Sequence, residues 1–143
     1  MSNPLPTPDG LITAPSKNGP KETMDRLVTA VSDRGMSIMA RIDHAAAAQN
    51  VGLELRPTEV LIFGNPRGGT PLMQAVQTLG IDLPLKALVW QDEAGQTWLS
   101  YNDPAWLARR HHAGEMAGSA LAAMSAVLSA AANKATEPGT LFA

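Results

Sequence analysis

The sequence predicts an α+β domain, one sheet with helices packed on one face, and three features carry that expectation. Met24, Leu27, Val28 and Val31 fall at i, i+3, i+4 and i+7, one apolar stripe of a helix. Ile38, Ala40 and Ile42 instead alternate with Ser37, Met39, Arg41 and Asp43, the pattern of a half-buried strand. Leu85–Gln91 and Gln96–Tyr101 flank Asp92-Glu93-Ala94-Gly95, two strands around a short glycine-containing loop, which reads as a β-hairpin. Strands joined partly by a hairpin and partly through helices favour segregated α+β over a parallel sheet.

The elements follow in order. Leu11–Ala14 is short and β-compatible, and Ser16–Pro20 leads into the first helix, which stops at Gly35. After the Ser37–Asp43 strand, Asp43 is placed to cap an alanine-rich helix over His44–Val51, ended by Gly52. Glu59-Val60-Leu61-Ile62-Phe63 is the most apolar short run and reads as a central strand. Gly64–Thr70 reads as a glycine-rich turn, and Pro71–Leu79 as a helix with proline in its first turn, where a missing N–H does no harm. Asn102-Asp103-Pro104 starts a further helix, with Asp103 as its cap, and Gly114–Asn133 is a long helix of small residues. Residues 1–9 and 134–143 read as flexible tails around one domain at 10–133.

Composition narrows the function classes. A chain of 143 residues with 45% hydrophobic content buries one core and is too short for two ordinary domains. Eleven Lys and Arg against thirteen Asp and Glu argue against a nucleic-acid partner or a polybasic membrane anchor. The absence of cysteine excludes disulfides, thiolate metal sites and Cys nucleophiles. No charged-then-apolar leader is visible, so a cytoplasmic location is expected. Met116–Ala132 carries no charge, but it is mostly Ala, Ser and Gly and lacks flanking aromatics, so no membrane partner is expected either.

Five linked motifs are more specific. They are Arg41-Ile42-Asp43-His44 with its alanines, Leu53 to Pro66, Gly69-Thr70-Pro71-Leu72-Met73-Gln74, Ile81 to Ala87, and Ser100-Tyr101-Asn102-Asp103-Pro104. Together, over about residues 10–133, they resemble the family called domain of unknown function 302. The resemblance implies a small curved sheet, mixed or antiparallel, with two main helices packed on one face, similar to the TATA-binding-protein-like fold. It also implies a homodimer, and it supplies no established activity or cofactor. The family pattern has one glycine before the Thr-Pro pair, whereas this chain has Gly68 and Gly69.

Several residues are candidates for chemistry. Gly64, Gly69 and Thr70 match part of a phosphate-binding loop, but the lysine is absent, which argues against nucleotide hydrolysis. Asn65, Arg67, Gly69 and Thr70 could still hold a carboxylate or phosphate through helix N-terminal N–H groups and the guanidinium; the structural alternative is a tight turn. His44 is the candidate general acid or base, or a haem or metal ligand, with Arg41 and Arg56 favouring an anionic ligand; the alternative is a histidine in a first helical turn. Glu54 and Glu59 are possible orienting carboxylates for it. His111 and His112 are adjacent and therefore point apart on a helix, so they read as complements to a helix C-terminus and not as a metal pair. Asp82 reads as a turn residue with Lys86 as its partner, and Trp90 and Trp98 as a pair across the hairpin. The expected function is a small-ligand-binding homodimer. The alternatives are an enzyme acting through His44 on an anionic substrate, or a haem or metal protein.

Overall fold

A computed structural model describes residues 7–114 and 118–139. Strand β1 (Leu11–Ser16) leads into α1 (Pro20–Ser32), β2 (Ser37–Asp43), α2 (His44–Asn50), β3 (Thr58–Gly64) and α3 (Pro66–Ala75). A 3-10 turn (Gln77–Ile81) then precedes β4 (Leu85–Gln91), β5 (Thr97–Asn102), α4 (Pro104–Arg110) and α5 (Gly118–Thr136). The strands form one sheet in the order β1-β5-β4-β3-β2, and every neighbouring pair is antiparallel. The fold class is therefore α+β, and β3 occupies the interior position that its apolar run predicts.

The core follows from the two-residue period of the strands. Leu61 of β3, Ala87 of β4 and Tyr101 of β5 stand in register, as do Phe63 with Leu85 and Val89 with Leu99, and all are buried. Against this face pack Met24, Leu27 and Val31 of α1 and Met124, Leu128 and Ala131 of α5. Each large side chain so buried contributes about 1.5–3 kcal/mol. The alanines Ala131, Ala132 and Ala135 are buried where α5 packs against α1.

The hairpin forms as predicted. Trp90 lies opposite Trp98, with ring centroids 6.1 Å apart and planes 26° from parallel. Asp92 organises its loop, accepting from the backbone N–H of Ala94 and Gln96 and from the Trp98 indole. These bonds hold its carboxyl below the usual range, the Trp98 bond most of all. Gly10 shows a different constraint: its φ is +77°, and an added Cβ would lie 2.2 Å from the Trp106 ring.

Three expectations change. β2 is an edge strand and is mostly exposed, with Met39 displaced by a bulge between Ile38 and Ala40; alternation reveals a strand but not whether a second layer covers it. Helix α3 begins at Pro66 and runs through Gly68, Gly69 and Pro71, so the predicted glycine turn is helical. Asn65-Pro66 is the start signal that outweighs the glycines, because Asn65 Oδ1 accepts from Arg67 N–H at 2.9 Å. Finally, α5 runs through Thr136, and residues to Gly139 are held to the body where a free tail from 134 was expected. Asn18 Nδ2 donates to the carbonyls of Ala135 and Glu137, and Gly139 N–H donates to Asn18 Oδ1. The expected start of that helix at Gly114 runs through 115–117, and the ends of both predicted tails, 1–6 and 140–143, also lie outside the described residues.

Candidate functional site

At the Gly64 end of β3, five segments converge without filling the space between them. The turn after α1, Met39 of β2, the start of α3, the Leu83-Pro84-Leu85 segment and one side of α5 border a cleft of about 620 Å³. That volume lies within the range of small-molecule sites. Its walls are mostly apolar and include Met36, Met39, Met73 and Met124, with Arg34 and Arg67 as the cations.

The structure places Asn65, Arg67, Gly69 and Thr70 on the wall of this cleft, with some of their polar groups already used inside the protein. Both polar ends of the Asn65 side chain are committed, Oδ1 to the helix cap and Nδ2 to the Gly35 carbonyl at 3.2 Å. The helix N-terminus offers few free donors. Pro66 has no N–H, Arg67 N–H is capped by Asn65, and the N–H groups of Gly68 and Gly69 both donate to the Asn65 carbonyl. A backbone anion cradle is therefore not what this loop builds. Its available polar groups are the Arg67 guanidinium, which has no partner among the described residues, and the Thr70 hydroxyl.

The other expected residues lie at the far end of the same strand. Asp43 stands opposite Glu59 while Ser37 stands opposite Gly64, so His44 and the Gly64 reversal are separated by roughly 17 Å of strand. His44 and Arg67 therefore stand at opposite ends of β3. His44 is exposed in the first turn of α2, whose cap is Asp43 Oδ1 accepting from Ala46 N–H. Arg41 is committed to Glu59 at 2.8 Å and Asp25 at 3.1 Å. Its ionisation is raised chiefly by the Glu59 hydrogen bond, and Asp25 is held below its usual range by hydrogen bonds from Lys21 and then Arg41. Arg56 is exposed and adds a minor favourable charge to Asp92. Among the described residues no cluster of three metal-ligating side chains forms.

One cluster has no counterpart in the sequence reading. Asp82 holds Arg110 at 2.7 Å and His111 Nε2 at 2.5 Å, while His111 Nδ1 meets Thr78 Oγ1 at 2.9 Å. The partner of Asp82 is thus the end of α4, not Lys86. This bond line ties α4 to the 3-10 turn immediately before Leu83, which lines the cleft. No spacing rule links positions 82 and 111. The methionines and Arg34 were also missed as site residues; seven methionines against two phenylalanines and one tyrosine was the available compositional signal.

Comparison with known proteins places these features. Proteins named fluoride-specific ion channel FluC 1, from Brucella suis and Brucella abortus, are each 48% identical to this chain over 115 residues, 80% of its length. A Brucella melitensis protein named fluoride-specific ion channel FluC 2 matches to the same extent. The chain spans less than half of these curated relatives, 45% of the first and 43% of the others. Among the described residues, no helix is long and apolar enough to cross a membrane. A crystal structure of an uncharacterized conserved DUF302 protein from Bacillus stearothermophilus shares the fold, with a TM-score of 0.80 at 21% identity, over 89% of this chain and 98% of that one. Over residues 12–131 the sequence matches the family described as domain of unknown function DUF302, and the chain belongs to it.

Proposed function

We propose that the domain binds a small, apolar-bodied ligand in the cleft at the Gly64 end of β3, and that it works as a homodimer. The cleft itself is the observation that supports binding: about 620 Å³, mostly apolar, with few polar groups converging on it. The test is native mass spectrometry of protein purified from its own host, comparing the native chain with Ala123→Trp, which places an indole in the cleft. A retained molecule lost in Ala123→Trp is the expected result. A molecule retained equally by both forms refutes the cleft as its site.

The dimer reading rests on a concentration of exposed apolar groups. Ile38, Met39 and Ile42 lie on the β2 edge, and the segment after α2 presents Val51 at 72%, Leu53 at 65% and Leu55 at 49% exposure. An open apolar edge strand invites pairing with another chain, and the proposed occupant is a second copy. Sedimentation should show a dimer for the native chain and a monomer for Leu53→Lys/Leu55→Lys; a native monomer at micromolar concentration refutes it.

The likeness to proteins named for fluoride channels favours a second reading, a domain that serves such a channel. Co-elution of this chain with the remaining part of a Brucella relative in detergent supports it, and separate elution counts against it. The readings that centre on His44 gain no support from its exposed position away from the cleft.

A further inference from the structure

We infer that the ligand of the cleft is an amphipathic carboxylate, a flexible apolar tail against the methionines with its carboxylate on Arg67. The inference rests on the reading of the cleft as a binding site and names the class of its occupant. Met36, Met39, Met73 and Met124 line the cleft. Unbranched thioether side chains adapt to varied apolar shapes and offer little to a polar body. The tail is therefore chosen by burial, not by directional bonds.

The headgroup is chosen by which donors remain free. The Asn65 amide and the first N–H groups of α3 are consumed inside the protein. Arg34 donates one of its N–H groups to the Ala30 carbonyl. The side-chain donors left at the cleft are the guanidinium groups and the Thr70 hydroxyl, and of the two cations Arg67 has no partner among the described residues. A guanidinium presents two parallel donors that match the two oxygens of a planar carboxylate. A phosphate monoester has three oxygens and about −1.5 to −2 charges, and the backbone donors that would enclose it are already spent.

The probes are decanoate, 1-decanol, acetate and inorganic phosphate, titrated by calorimetry into the native chain, Arg67→Gln and Ala123→Trp. Decanoate should bind one per chain, at least tenfold more tightly than decanol, consistent with a charge-assisted bond. Arg67→Gln should erase that preference while leaving decanol binding intact, and Ala123→Trp should abolish both. Equal affinity for decanoate and decanol overturns the carboxylate assignment while leaving the cleft as a binding site. Acetate or phosphate binding as tightly as decanoate overturns the tail. Binding unaffected by Ala123→Trp, or no binding of either ten-carbon probe, overturns the inference; in the latter case the native mass measurement above judges the cleft separately.

Discussion

The two ends of β3 carry similar residue types and use them differently. At the Glu59 end, Arg41 meets two carboxylates, and the histidine beside them stands in water. At the Gly64 end, Arg67 lines a cleft whose walls are mostly apolar, and none of the described carboxylates reaches it. A cation near a strand end is thus either a structural clasp or a recognition group according to what the neighbouring layer presents. At the Glu59 end α1 presents Asp25; at the Gly64 end α5 presents Ala120, Ala123 and Met124.

Substitutions can break or sharpen this contrast. The largest effect is expected from Phe63→Ala, a fully buried ring one residue before the cleft, which should lose about 3–5 kcal/mol in urea unfolding. His44→Ala at the opposite end should change stability by less than about 0.5 kcal/mol. A comparable loss at both positions would show that His44 is held by contacts the described structure lacks.

Gly68→Ala tests whether the Gly64 end is truly helical. Nothing lies within 4 Å of a Cβ built there, and its φ is not in the left-handed region. Replacement should stabilise the fold by roughly 0.5–1 kcal/mol, since alanine is the better helix former. A loss of stability on thermal unfolding would restore the glycine-turn reading.

A smaller effect than that of Phe63→Ala belongs to the clasp. Arg41→Gln should cost about 0.2–1 kcal/mol, less at high salt, because the Arg41 side chain is 36% exposed. The Asp25 carboxyl sits below its ordinary value of 3.8, through Lys21 first and Arg41 as well. A carboxyl depressed on folding stabilises the protein above its unfolded value, and that contribution is lost as pH falls through the folded one. In Arg41→Gln the Asp25 titration, followed by NMR, should move upward toward 3.8. No movement would show that Lys21 alone sets it.

Local signals in the sequence located most elements. The Met24–Val31 stripe, the Asp43 and Asp103 caps and the Trp90–Trp98 hairpin all depend on residues close along the chain, and all appear where expected. The start signal at Asn65-Pro66 is equally local, but the glycines after it read as a turn and the helix was expected only from Pro71, whereas it begins at Pro66. What could not be read was pairing between distant positions. Asp82 with His111, Asn18 with Ala135, and the four methionines around one space have no periodic signature.

By itself, then, the sequence determined the α+β class, the interior place of Glu59–Phe63 and the type of most elements, because periodicity and capping act over a few residues. Only the tertiary structure decided which arginine is already neutralised, that β2 is an uncovered edge, and that a cleft opens beside α3. Those outcomes depend on which side chains antiparallel pairing and helix packing bring face to face, and chain order does not encode that proximity locally.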